Sequence, residues 1–206
     1  MTKNKKYMKN IVLTILLLIS YLGYSQTLVY HISSKKKQLG SLKVEKTKKD
    51  SLHQIEVYSN VNFRFIFKIA LDYKLNCTYF NNELLHSSVT TFVNGKANSS
   101  LKTEKKDNYY EVTDDGETSK YHNTIGLSGA LSYFKEPLEM STIYSDFYGY
   151  NKNIEKIKER VYKVTNPKNG QISEYFYKDG LLNKAIIHHF LMTFTIQLIK
   201  VNSEYI

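Results

Sequence analysis

His188 and His189 are the only adjacent histidines in the chain, and Cys77 is its only cysteine. Paired imidazoles are the raw material of a zinc or copper site, and a thiolate is a nucleophile wherever a base activates it. Neither residue type is placed to do that chemistry. The histidines fall on a stretch that reads as a strand, where neighbours point to opposite faces, so the two rings cannot share a metal in regular pairing. His31, His53, His86 and His122 stand alone. The expected arrangement packs one ring of the pair among aromatics and leaves the other at the surface. Cys77 lies in phase with Tyr73, Leu75 and Tyr79, on an apolar face where burial raises a thiol pKa and makes it inert. Asp114-Asp115 and Asp72 read as turn formers and a solvated strand face. No Gly-x-Ser-x-Gly, phosphate loop or His-Glu-x-x-His occurs. The chain is therefore read as a non-enzyme with no catalytic residue, no metal and no cofactor.

The apolar face that carries Cys77 is the main architectural signal. From Ile55 to Tyr79, 25 residues, the odd positions are apolar except Ser59, while the even positions are mostly polar. Alternation with period two means β-structure with one wet face. Straight, the run would reach about 80 Å, too long for one strand, so it must bend or break. Asn60 to Arg64 is the expected corner. Because the phase survives it, both halves keep their apolar side toward one interior, as a strongly curved antiparallel sheet requires. Phe63, Phe65, Phe67, Ile69, Leu71, Tyr73 and Leu75 are the residues expected to line a groove on its concave side.

Shorter strands surround this run, at Thr27 to Ser33, Gly40 to Lys48, Leu84 to Val93, Lys96 to Lys105, Tyr109 to Thr113 and Glu117 to Tyr121. Asn81-Asn82, Asn94-Gly95, Asp115-Gly116 and Asp179-Gly180 tolerate the positive φ of tight hairpins and predict turns. Leu127, Leu131 and Phe134, with Ser128 before them and Pro137 after, predict one short helix near 127–135. A second β block follows at Thr142 to Tyr148, Ile157 to Thr165, Ile172 to Lys178, Leu181 to His188 and Met192 to Val201, with a turn at Asn166 to Gly170. The expected fold is mainly β: a strongly curved antiparallel sheet, or half-open barrel, with one short helix.

The N-terminus carries an address. Lys3, Lys5, Lys6 and Lys9 precede an apolar run from Ile11 to Leu22, and Gly23-Tyr24-Ser25 supplies small residues for a cut before Gln26. That is the pattern of a secretory signal peptide. The run has 12 residues where a membrane span needs roughly 20, so no stable transmembrane span is expected. The expected organisation is a signal peptide at 1–25 and a single β-rich domain at 26–206, exported to the periplasm or outside the cell. Cleavage removes four of the 29 basic residues, leaving 25 against 19 acids, a net charge of +6. Only Arg64 and Arg160 are arginines, the side chain that reads phosphates and bases by paired contacts, so nucleic acid is not an expected partner. A single cysteine makes no internal disulfide, and the fold must be held by burial.

Several blocks are distinctive in combination: Tyr30-His31-Ile32 with Leu39-Gly40-Ser41-Leu42-Lys43-Val44, then Tyr79-Phe80-Asn81-Asn82-Glu83-Leu84 and Val93-Asn94-Gly95-Lys96. Leu131-Ser132-Tyr133-Phe134-Lys135-Glu136-Pro137, Tyr144-Ser145-Asp146-Phe147-Tyr148-Gly149 and Tyr175-Phe176-Tyr177-Lys178-Asp179-Gly180 follow in order. Together they resemble an uncharacterised family of exported proteins of Bacteroidota type. The resemblance runs from about Leu28 to Lys200 and implies a fold similar to the half-open β-barrel lipoprotein carriers. It implies no activity and no site residues. Members of the family often have an acid before the final histidine, where this chain has His188.

Two readings of function follow. In one, the concave face from Phe63 to Leu75 binds an apolar or amphipathic envelope molecule such as a lipid or acyl chain. In the other, the same face is packed shut by the 127–135 segment, and the protein is a structural or protein-interaction module without a ligand.

Overall fold

The computed structural model describes residues 23–64, 67–190 and 192–205. Most of the expected signal peptide, residues 1–22, and the groove candidate Phe65 lie outside the described residues. Fourteen strands form one sheet in which every strand pairing is antiparallel. The first eight strands are β1 (Tyr24–Ser34), β2 (Lys37–Lys49), β3 (Leu52–Arg64), β4 (Lys68–Phe80), β5 (Glu83–Val93), β6 (Lys96–Lys105), β7 (Tyr110–Asp114) and β8 (Glu117–Tyr121). After a 3-10 turn at Leu131–Tyr133 come β9 (Thr142–Ser145), β10 (Tyr150–Lys158), β11 (Val161–Thr165), β12 (Ile172–Lys178), β13 (Leu181–His188) and β14 (Thr193–Tyr205). The order across the sheet is β8-β7-β6-β5-β4-β3-β2-β1-β14-β13-β12-β11-β10-β9. Two meanders, β1 to β8 and β9 to β14, are thus joined where β1 pairs with β14.

The predicted turn chemistry appears at all four pairs: Asn81 and Asn82, Asn94 and Gly95, Asp115 and Gly116, and Asp179 and Gly180 all have positive φ. The long alternating run resolves differently from the expected corner. It is a hairpin, with Arg64 opposite Lys68 and Leu52 opposite Phe80. Its register sets odd residues against odd ones, Ile55 with Cys77, Val57 with Leu75 and Ser59 with Tyr73, so the reversal keeps one apolar face. That explains why the phase survives the break.

Two other boundaries are corrected. The run read as one strand from Ile157 to Thr165 is the end of β10 and all of β11, separated at Arg160, which takes φ 57°. The strand expected through Tyr148 ends at Ser145. The predicted helix near 127–135 contracts to the single 3-10 turn. Its first residues are held extended by β9: Ser128 bridges Tyr144, the Tyr144 N–H donates to the Leu127 carbonyl at 3.1 Å, and the Gly129 N–H to the Tyr144 carbonyl at 2.9 Å. A backbone already paired in this way cannot also close helical turns.

The core lies on the concave side. Leu28, Tyr30, Val44, Ile55, Tyr79 and Leu84 have no accessible surface. Each aliphatic side chain so buried contributes about 1.5–3 kcal/mol. Ile125, Leu127, Ala130 and Leu131, from the segment between β8 and β9, are buried in the same core. They fill the space that the sequence assigned to a helix. The edge strands β8 and β9 are not hydrogen-bonded to one another, and side chains span the seam instead. Tyr121 of β8 packs edge to face on Tyr144 of β9 with centroids 5.2 Å apart and donates its hydroxyl to Asn151 Oδ1 at 2.9 Å.

Candidate functional site

The chemistry-bearing residues of the sequence are not brought together. His188 is exposed and its Nε2 lies 3.1 Å from Glu174 Oε1, so an acid stands beside it from across the sheet. His189 packs on Phe190 and Phe194 with ring centroids 4.3 and 6.2 Å away. Among the described residues no group of three or more His, Cys, Asp or Glu side chains is placed to hold a metal. Cys77 is buried, and its thiol pKa is pushed well up, by burial first and by the neighbouring Asp146 second.

Asp146 is the polar centre of the interior, and no feature of the sequence alone marked it. It follows β9 directly and is 2% exposed. Its Oδ1 accepts a hydrogen bond from Ser87 Oγ at 3.0 Å and lies 3.5 Å from Cys77 Sγ, while Oδ2 accepts the Ala130 N–H at 2.9 Å. Beside it, Ser128 Oγ accepts the Ala130 N–H at 3.2 Å and shares a 2.6 Å hydrogen bond with the Tyr79 hydroxyl. Burial raises the Asp146 pKa, and hydrogen bonds from Ser128, Ala130, Ser87 and Cys77 oppose the shift. The carboxyl therefore ties the 127–131 segment to β4 and β5.

One side of this cluster opens on a cavity of about 310 Å3 inside the curved sheet. Ile32, Leu42, Val57, Leu75, Leu182, Ala185, Ile187 and Ile196 make its apolar wall, drawn from both meanders. Asp146, Ser59, Ser132 and the tyrosines Tyr73, Tyr133 and Tyr175 supply its polar groups. The fully buried tyrosines spend their hydroxyls on the protein: Tyr30 donates to the Leu182 carbonyl at 2.8 Å, Tyr177 to the Ser132 carbonyl at 3.0 Å and Tyr110 to the Leu84 carbonyl at 2.9 Å. The hydroxyls of Tyr73, Tyr133 and Tyr175 form no hydrogen bond among the described residues. Burial pushes the Tyr175 pKa up to about 12 and raises those of Tyr73 and Tyr133 as well, so all three are neutral donors at physiological pH. A cavity with apolar walls and a few convergent hydroxyls suits a molecule with an apolar body and one polar end.

Of the expected groove residues, Tyr73 and Leu75 line this cavity. Phe63 and Leu71 are partly buried against the core, Ile69 is half-buried on β4, and Phe67 stands 77% exposed in the β3–β4 turn. Sequence reasoning did not single out Asp146, Tyr133 or Tyr175, although each falls within one of the family-like blocks. A second, wider hollow of about 880 Å3 is lined by Tyr148, Ile157, Lys163, Ile172, Glu174, His188 and Phe190, among others. Ile157, Ile172 and Phe190 are 47%, 38% and 88% exposed, which makes it a surface depression.

The fold has a solved counterpart. A beta-barrel-like protein of domain of unknown function DUF1849 from Brucella abortus superposes with a TM-score of 0.55 over 89% of this chain and 98% of that one, at 10% sequence identity. At that identity the likeness is one of fold alone. No curated protein matches the chain. Residues 30–199, nearly the whole of the sheet, match the domain of unknown function DUF6134, and the chain belongs to that family.

Proposed function

We propose that this protein is a binding module that holds a lipid, an acyl chain or another amphipathic molecule in the cavity of its concave face. One observation carries the reading: three tyrosine hydroxyls without a hydrogen-bond partner among the described residues border a mainly apolar cavity that Asp146 also lines. These three tyrosines are half-buried, unlike the fully buried ones whose hydroxyls bond to the protein, so their accessible hydroxyls mark a place for a polar group from outside. At about 310 Å3 the cavity is at the lower end of ligand pockets, which suits one chain or a small head group better than a whole phospholipid. The inert thiol and the lack of a nucleophile paired with a base among the described site residues support a role in binding over catalysis.

The test is uptake of a fluorescent fatty acid by purified protein, with Ser59→Leu filling the cavity. Saturable binding at one site, weakened at least tenfold by Ser59→Leu in a protein with an unchanged circular dichroism spectrum, is the expected result. A closed structural module would take up no probe in either form. We also propose export, with cleavage between Ser25 and Gln26, on the strength of the N-terminal pattern. Such a cut would trim β1 by Tyr24 and Ser25, which face Tyr205 and Glu204 of β14. Intact mass of protein from its native envelope should lack residues 1–25.

A further inference from the structure

The sheet order places three hairpins side by side at one end: β3–β4, β2–β1 and β14–β13 occupy six consecutive positions, and all three turn at the same end. Their tips carry Lys35, Lys36, Lys37, Arg64 and Lys68, all exposed, and none of these is in an ion pair among the described residues. No acid falls within residues 33–38, 62–70 or 188–193. Two of the most exposed large apolar side chains stand at these tips: Phe67, 77% exposed, between Arg64 and Lys68, and Phe190, 88% exposed, at the end of the β13–β14 hairpin, whose tip has no cation of its own. Lys37, Arg64, Phe67 and Lys68 share a hollow of about 410 Å3 with Asn62 and Phe63, so the tips of adjacent hairpins form one surface.

Local folding does not require this composition. Lys35 and Lys36 make their turn with φ 47° and 68°, a conformation that most other hairpins of this protein, the one at Arg160 excepted, assign to Asn, Asp or Gly. Exposed phenylalanine gains nothing in water, whereas a phenylalanine flanked by unpaired cations matches the boundary between head groups and acyl chains of an anionic bilayer. We infer that this end of the barrel is a docking surface for anionic phospholipid membranes, with Phe67 and Phe190 entering the interface and the five cations facing the head groups. This inference goes beyond cavity binding and stands without it.

Co-sedimentation with vesicles tests it. Full-length protein lacking the leader should bind vesicles of equal parts phosphatidylcholine and phosphatidylglycerol, bind pure phosphatidylcholine at least tenfold more weakly, and be released by salt. A cation close to such a surface is worth about fivefold in partitioning, so Lys37→Glu/Arg64→Glu/Lys68→Glu should lower binding at least tenfold. Phe67→Ser/Phe190→Ser should lower it severalfold. The control Lys156→Glu/Lys158→Glu/Lys178→Glu changes net charge equally at exposed positions near the opposite hairpin ends and should retain most of the binding. Equal losses in both triple variants would reduce the effect to net charge and overturn the inference. So would equal binding to neutral vesicles, or no binding to either kind, which would leave the patch to an acidic protein. All altered positions are exposed, and an unchanged circular dichroism spectrum verifies folding.

Discussion

Phe63 of β3 and Phe194 of β14 meet edge to face with ring centroids 6.4 Å apart, although β2 and β1 lie between their strands. Three strand spacings of about 4.8 Å would hold them about 14 Å apart in a flat sheet. The contact therefore measures how tightly the sheet rolls toward its concave side. Edge-to-face pairs contribute about 0.5–1.5 kcal/mol beyond burial, so a double-mutant cycle with Phe63→Ala and Phe194→Ala should give a coupling of about 1 kcal/mol in urea unfolding. Additive losses would mean that the two rings are anchored independently. Phe194 lies opposite Ile187, which lines the cavity, so removing either ring should also speed uptake of a fluorescent acyl probe.

Asp146 gives the interior a definite pH response. Its folded pKa is raised, so its contribution to stability is fully present below the ordinary carboxylate range and is lost as pH rises through the raised value. Asp146→Asn cannot ionise. Urea midpoints across pH should show wild type falling relative to the Asn variant over that window and parallel to it below. Asp146→Leu should cost about 2 kcal/mol or more at any pH, because it leaves the buried Ala130 N–H and Ser87 hydroxyl without an acceptor.

Cys77 borders Asp146 but not the cavity, and it is 2% exposed. A small apolar thiol reagent should label it only at the rate of unfolding, and added fatty acid should leave that rate unchanged unless it stabilises the whole fold. Rapid native labelling that fatty acid slows would show that the ligand space reaches β4 beyond Leu75.

Gly40 of β2 lies against the backbone of β3. A Cβ there would lie 1.9 Å from the Asn60 carbonyl oxygen and 2.9 Å from the Val61 Cα, backbone atoms that cannot rotate away. Gly40→Ala should destabilise the protein by about 3 kcal/mol or more, read as a lower urea midpoint.

What could be read in advance follows from how local each cause is. β6, β8, β12 and β13 carry their expected boundaries because Asn94-Gly95, Asp115-Gly116 and Asp179-Gly180 mark their ends with residues that accept positive φ. The turn at Arg160 adopts the same backbone without that chemistry, so the sequence reads the end of β10 and all of β11, Ile157 to Thr165, as one strand. The chain reverses between Arg64 and Lys68, where the sequence Phe65-Ile66-Phe67 reads as more strand. Register completed the disguise, since odd residues face odd ones across the hairpin. Asp146 was illegible for another reason. Ser87 and Cys77 stand 59 and 69 residues away from it in sequence, and no short-range pattern shows that three such segments converge.

The union of β1 with β14 bears on how the protein acquires its shape. All the other strand pairings join neighbours in sequence and can zip from a hairpin turn. This one brings Tyr24 beside Ser203, 179 residues away, and the ring closure it demands carries the largest loss of chain freedom in the molecule. Each meander would therefore be assembled before the two are joined. Ile32, which pairs with Ile196 across that joint, and Tyr30, which reaches Leu182 on β13, help to complete the core only after the joint forms. Until then the apolar faces of both halves would stay open, which makes the interval before joining the period in which this chain is most prone to aggregate.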